Sequence, residues 1–258
     1  FSKKNNSTIM KKTMLLLMAM TISILSFAKK KPSKYYELRV YYCHPGKLPN
    51  LITRFTDHTT KIFEKHGMEN IGYWTPTTAD NNVLYYVLGY PSKEARDASW
   101  KAFGADPEWK EVAKKSEESG KIVAKVESKF MTLHPDLTKK IKLKQASPER
   151  LFEMRTYYCL PGRYPNIVAR FRDHTRKLFE KHGMENVMYF ETIEKDGGQP
   201  TLLYFLAHKD ADAAKKSWDG FRADPDWIKV RDASEESGKI VEKVESVYMK
   251  PTGFSKIK

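Results

Sequence analysis

The chain has 258 residues, 40% hydrophobic and 30% charged, with a formal net charge of +14. That length and apolar content allow one large core or two of about 100 residues each. The charge would suit nucleic acid or an anionic membrane, but its placement argues against both. Lys3, Lys4, Lys11 and Lys12 fall in a leader, and Lys29, Lys30, Lys31 and Lys34 fall just after it. Lys139, Lys140, Lys142 and Lys144 lie between two repeated segments, with Lys250, Lys256 and Lys258 at the end. The remainder is close to neutral and carries no nucleic-acid motif, so the basic excess reads as solvated linkers.

Residues 1–28 read as a signal peptide with an upstream extension. Lys11 and Lys12 form a charged start, Met14 to Phe27 is apolar, and Ser26-Phe27-Ala28 offers a small-residue cleavage site. Met10 is then the expected natural start. The apolar run is shorter than the roughly 20 residues of a membrane span. The expectation is export to a periplasmic or extracellular space, with no stable membrane insertion once the leader is removed.

The first module is expected over 34–134. Tyr36–Cys43 is aromatic and β-branched and ends at Pro45-Gly46, a strand followed by a turn. Pro49–His66 carries Leu51, Phe55, Ile62 and Phe63 at helical spacing, with Gly67 as its stop. Ile71–Trp74 is a short strand. Val83–Tyr90 is apolar on both faces, as in a central strand. Ser92 caps a helix bearing Ala95, Ser99, Trp100 and Phe103. Asp106-Pro107 restarts it, Gly120 ends it, and Ile122–Met131 is the last strand. A basic linker follows over 135–150, then a second module over 151–250 and a tail over 251–258.

The second module repeats the first. With a shift of 116, residues 37–75 match 153–191 at 24 of 39 positions, and DHTTKIFEKHGMEN answers DHTRKLFEKHGMEN. After an insertion near Gly197-Gly198 the shift becomes 118, and SEESGKIVAKVES answers SEESGKIVEKVES. A period this long means domain duplication rather than a solenoid. The order β-α-β-β-α-β is the ferredoxin-like arrangement, whose helices cover one sheet face only. The fold class is therefore α+β: two tandem ferredoxin-like modules, each covering the other's open face.

The strand ELRVYYCHPG, the helix end FEKHG, the strand IGYW and the turn DPEW occur in order in the first module, with close counterparts in the second. In this the chain resembles the NIPSNAP family over 36–131 and 152–249. The resemblance implies a dimeric α+β barrel, formed here within one chain, but no settled activity. The wider superfamily implies cofactor-free oxygenases, isomerases and haem proteins that use a pocket in or beside the sheet. Phe190 in place of Trp74 and Leu160 in place of His44 imply that a ligand site differs between the halves.

His58 and His174 are the candidate catalytic residues. Positions 51, 55, 58 and 62 share one helical stripe, which sets the histidine among apolar side chains. There it acts as a general base, or is a core histidine paired with a carbonyl. His66 and His182 precede Gly67 and Gly183 and suit the negative helix ends. Arg39, Tyr41, Arg155 and Tyr157 are candidate ligand-binding residues. With Glu37 and Glu153 they occupy the odd-numbered faces of the first strands, where Lys125 and Glu127, or Lys243 and Glu245, are expected to pair with them. Inside a closed barrel, Arg39 and Arg155 hold an anion or form a salt-bridged seam. Trp74 is a further ligand-binding candidate, with core packing as the plainer reading, shared by Trp100, Trp109, Trp218 and Trp227. Cys43 and Cys159 are equivalent positions and are expected unpaired. Neither HExxH nor CxxC occurs, so no metal or other cofactor is expected.

Three functions remain open at this point. The first is binding of a small apolar or aromatic molecule, with an anionic group, in the barrel. The second is a cofactor-free oxygenase or isomerase with His58 or His174 as base. The third is an interaction scaffold without ligand. A small molecule and a further copy of the chain are the expected partners, and nucleic acid is not.

Overall fold

Alternation along the first strand, β1 (Tyr35–Cys43), sends Tyr36, Leu38 and Val40 to one side and Tyr35, Glu37, Arg39 and Tyr41 to the other. Both sides are covered, so the strand has no solvent face. The computed structural model describes residues 34–78 and 81–258; the leader expected over 1–28 lies outside them. After β1 come α1 (Leu48–Arg54), a π-helical turn (Phe55–Thr59) and α2 (Thr60–Lys65). Then follow β2 (Glu69–Pro76), β3 (Val83–Tyr90), α3 (Lys93–Ala105), α4 (Pro107–Ser116) and β4 (Val123–Leu133). Antiparallel pairing gives the order β4-β1-β3-β2, with β1 and β3 central.

Module 2 repeats this layout with β5 (Leu151–Cys159), α5 (Tyr164–Arg170), a second π-helical turn (Phe171–Thr175) and α6 (Arg176–Lys181). It continues with β6 (Glu185–Thr192), β7 (Leu202–His208), α7 (Ala211–Ala223), α8 (Pro225–Ser234) and β8 (Val241–Pro251). The insertion near Gly197 is a short 3-10 turn, Lys195–Gly197. The two sheets join edge to edge, β2 to β8 and β6 to β4, and close an eight-stranded barrel. Each seam is short: Trp74–Pro76 pairs with Pro251–Met249, and Met131–Leu133 with Thr192–Phe190.

The barrel lumen is the shared core. Tyr36, Leu38 and Val40 meet Phe152, Met154, Phe190, Leu203 and Phe205 there. Trp74 is fully buried among them, with ring centroids 5.6 Å from Phe152 and 5.1 Å from Phe205. Gly72 makes room for it, since a Cβ there would overlap the indole ring. Module 2 solves the same packing problem with Met188 and Phe190 at the matching positions.

The linker and tail, expected as solvated, are partly packed, and each arm braces the other module. Past β4, His134 N–H donates to Tyr189 O at 3.0 Å, Thr138 Oγ1 accepts from Tyr189 N at 2.9 Å, and Leu137 is buried against module 2. Past β8, Thr252 N–H donates to Tyr73 O and Ser255 Oγ accepts from Tyr73 N, both at 3.0 Å. Phe254 then stacks on Phe55.

The helices cover the outer sheet faces. Ser92 caps α3 by accepting from Ala95 N at 3.2 Å, and Asp210 caps α7 from Ala213 N at 2.8 Å. Asp106 and Asp224 cap α4 and α8, and each also meets a histidine: His66 Nε2 lies 2.6 Å from Asp106, as His182 Nε2 does from Asp224. His66 and His182 thus tie the first helix of each module to the last, beyond the expected interaction with the helix end.

Candidate functional site

Under the helices of each module, the middle of the first strand carries a fully buried carboxylate, Glu37 or Glu153. Burying a charge is costly unless it is paired and hydrogen-bonded. In module 1 the partners come from three elements. Glu37 accepts from Arg39 Nη1 at 2.6 Å, from Arg96 Nη2 at 2.8 Å and Nε at 2.9 Å, and from Trp100 Nε1 at 3.0 Å. Tyr90 OH adds a longer bond at 3.3 Å. Arg39 also donates to Tyr86 OH at 2.9 Å and lies over the Trp100 ring at 4.3 Å. Burial would raise the Glu37 carboxyl, but the Arg96 hydrogen bond and the two guanidinium charges outweigh it and hold its pKa below the ordinary value.

Module 2 keeps the carboxylate and changes what covers it. Glu153 accepts from Arg155 Nη1 at 2.6 Å, Ser246 Oγ at 2.7 Å, Trp218 Nε1 at 2.7 Å and His208 Nε2 at 3.0 Å. Burial alone would raise its pKa; the His208 bond, the Arg155 charge and the Ser246 hydroxyl lower it to about 2. Three of the neighbouring positions shrink relative to module 1. Tyr35 becomes Leu151, Tyr90 becomes His208 and Arg96 becomes Ala214. Where Arg96 seals Glu37, a cleft of about 700 Å³ opens beside Trp218 and Tyr248, with Leu151, Ala214 and Pro251 on its walls. Thr77 of module 1 reaches its edge, where its N–H donates to Tyr248 O at 2.9 Å.

The rim of this cleft is basic. Arg150 is fully engaged by Lys258 O and Glu185, and Lys215 and Arg222 pair with Asp219. Lys209 and Lys250 are exposed, and their side-chain ammonium groups make no ion pair or hydrogen bond among the described residues. Of the two acids on the lining, Asp210 is committed to its helix cap and Glu149 pairs with Lys258 at 3.6 Å. The Tyr248 hydroxyl is pushed up to about 12 by burial and by the Glu153 carboxylate. It therefore stays neutral at ordinary pH.

The residues singled out from the sequence land elsewhere. His58 and His174 are exposed, not on the buried stripe. The π-helical turn inserts one residue into the helical phase, so the buried series runs Leu51, Phe55, Thr59, Ile62 and Phe63 and the histidine rotates outward. Thr59 and Thr60 hydroxyls donate to the carbonyls of Arg54 and Phe55 at 3.1 Å each. His58 and His174 edge open grooves against α4 and α8, away from Glu37 and Glu153.

Arg39, Tyr41, Arg155 and Tyr157 are not in the barrel lumen. Their strand faces look toward the helices, and the two arginines serve separate carboxylates. Nor do Lys125 and Glu127 pair with them: the register sets Lys125 opposite Tyr42, Glu127 opposite Val40 and Ser128 opposite Arg39. Lys125 and Glu127 pair with each other, as do Lys243 and Glu245. Trp74 fills the lumen instead of lining a ligand cavity, and a small cavity of about 260 Å³ lies at the Tyr42 end. His44 is exposed at a turn, so its replacement by Leu160 changes no enclosed site. Cys43 and Cys159 are free and buried, and burial pushes both thiols up to about 11, which disfavours the reactive thiolate. Among the described residues no cluster of His, Cys, Asp or Glu could hold a metal ion, and no helix is long and apolar enough to cross a membrane.

Arg96, Ala214, Tyr90 and His208 were missed as site residues. Their signal is present in the repeat, as positions where the copies differ. The differences sit on separate elements, and only the folded sheet brings them to one carboxylate.

The family model for NIPSNAP matches residues 36–137 and 152–256. No curated protein matches the chain. Among solved structures, a protein provisionally assigned as a monooxygenase from Fusobacterium nucleatum superposes with a TM-score of 0.56 at 12% identity, covering 88% of this chain and 98% of its own. A second such protein, from Lactobacillus acidophilus, gives 0.55 at 9% identity over 86% and 95%. An anthrone oxidase-like protein gives 0.52 at 11% identity over 89% and 96%. At these identities the likeness is one of fold, the two-module α+β barrel.

Proposed function

The chain belongs to the NIPSNAP family, and from that premise we propose that it binds a small apolar or aromatic molecule with an anionic group in the module 2 cleft. One observation carries this reading. The two modules share a buried carboxylate, yet the space that Arg96 fills in module 1 is a cleft of about 700 Å³ in module 2. That volume falls within the range of about 300–1,000 Å³ usual for small-molecule sites. Trp218, Tyr248, Leu151 and Pro251 supply apolar walls, and Lys209 and Lys250 supply unengaged positive charge at the rim. The site thus belongs to the sheet–helix layer instead of the lumen, which Trp74 and Phe190 fill. Export, supported by the leader composition, is part of the same proposal and places the binder outside the cytoplasm.

A second reading, turnover of the bound molecule, draws support from the fold likeness to proteins provisionally assigned as monooxygenases. It would need a proton acceptor at the cleft other than His58 or His174, which edge different grooves.

The test is isothermal titration of the full chain with 2-naphthoate. Ala214→Arg rebuilds the module 1 seal and is expected to weaken binding at least about tenfold, because the guanidinium fills the cleft and pairs with Glu153. Equal affinity in wild type and variant, or no binding by wild type, would refute the proposal. Oxygen consumption or product formation with the same compound separates an enzyme from a binder.

A further inference from the structure

We propose that His208 is the specificity-determining residue at the buried end of this site, its Nδ1 accepting a hydrogen bond from a ligand hydroxyl. The preferred ligand class is then a hydroxylated aromatic acid, held by its hydroxyl at one end and its anion at the lysine rim. This rests on the module 2 cleft being the binding site.

The chemistry of the Glu153 pair leads to this assignment. An ionised carboxylate only accepts hydrogen bonds, and Glu153 already receives them from Arg155, Ser246 and Trp218. At 3.0 Å, His208 Nε2 must therefore carry the hydrogen that Glu153 accepts. The other nitrogen of a neutral imidazole is then a bare acceptor. Nδ1 has no hydrogen-bond partner, although the side chain is fully buried. Buried polar atoms are nearly always paired, so an orphan acceptor calls for an explanation.

Module 1 shows that a histidine is not needed to satisfy the carboxylate. Tyr90 occupies the matching position, accepts from Trp100 Nε1 at 2.9 Å and reaches Glu37 at 3.3 Å, with no polar atom left over. Replacing it with His208 shortens the side chain and adds an acceptor in the module that has the cleft. His208 is fully buried behind the cleft wall and does not itself line the cleft. Lys209 and Asp210 follow it in sequence and line the cleft, as does Leu151, its cross-strand partner. The half-buried Tyr248 ring lies 6.1 Å from the imidazole, centroid to centroid, and forms part of the cleft wall. A ligand that displaces this ring inward or sideways exposes the acceptor to its own hydroxyl.

Titration of the full chain with 6-hydroxy-2-naphthoate, 6-methoxy-2-naphthoate and 2-naphthoate tests the assignment. Wild type is expected to prefer the hydroxyl compound at least about tenfold, because a site that hydrogen-bonds a hydroxyl discriminates against analogues lacking it. His208→Phe should erase that preference, bringing the affinity for 6-hydroxy-2-naphthoate down to that for 2-naphthoate. Equal affinities for the three compounds in wild type would overturn the role of His208 while the cleft, still sensitive to Ala214→Arg, stands. Failure of all three to bind overturns both. The tautomer, read from imidazole nitrogen shifts in the unliganded wild-type protein, needs no variant: a hydrogen on Nδ1 overturns the assignment, and a bare Nδ1 with Nε2–H upholds it.

Discussion

Modules 1 and 2 begin from the same buried glutamate on the same strand and end in opposite states. Around Glu37 every acceptor is taken up, and Arg96 from α3 closes the layer with a bidentate pair. Around Glu153 the matching helix offers Ala214, a tyrosine has become His208, and a cleft reaches the layer above the carboxylate. Strand order, the aspartate caps of α4 and α8 and the histidine–aspartate ties are unchanged between them. Duplication thus lets one copy keep the structural form of a charged node while the other gives up packing for access. The lumen shows the same freedom, with Gly72 and Trp74 in one half exchanged for Met188 and Phe190 in the other.

Separating the modules is expected to have the largest effect. The lumen side chains of each sheet are covered by the other module, and each arm braces its neighbour. Residues 30–140 alone should therefore dimerise or aggregate, and a stable folded monomer in analytical ultracentrifugation would contradict the mutual cover. Next comes acid. Glu153 sits at about 2, below the ordinary carboxylate value near 4.3. A depressed pKa stabilises the fold fully above that ordinary value and loses its contribution as pH falls toward 2. Two units correspond to roughly 3 kcal/mol. Urea unfolding at pH 7 and pH 3 should show roughly half of this loss in wild type and a shallower pH dependence in Glu153→Gln.

Arg96→Ala sharpens the comparison from the module 1 side. It removes a charge-assisted pair from a carboxylate that remains buried, at a cost of roughly 1–3 kcal/mol. The unfolding midpoint should fall accordingly, and a second, weaker site for 2-naphthoate should appear in titration. An unchanged midpoint would mean that Glu37 is sealed by Arg39 and Trp100 alone. The smallest effect is expected at the two exposed histidines. His58→Ala and His174→Ala should each alter stability by less than about 0.5 kcal/mol and leave ligand affinity unchanged. A clear loss of binding in either variant would return the site to the helix grooves.

Much of the architecture was legible along the chain because its determinants are local. Proline-glycine turns, Ser92 and the Asp106-Pro107 cap act within a few residues, and the 116- and 118-residue shifts expose the duplication directly. Mutual cover also followed, since a ferredoxin-like sheet with helices on one face leaves the other needing a partner. What could not be read was which face of β1 looks into the barrel. Both faces are buried, so the charged face does not mark a solvent side, and Glu37 could enter the helix side because Arg96 and Trp100 arrive from 59 and 63 residues away. The π-helical turn was equally hidden: one added residue turned His58 from the expected stripe to the surface. The repeat and the order of elements were therefore determined by sequence alone. Tertiary structure decided the site, because gathering Leu151, Ala214 and Tyr248 around one cleft depends on distances across the sheet that no local pattern encodes.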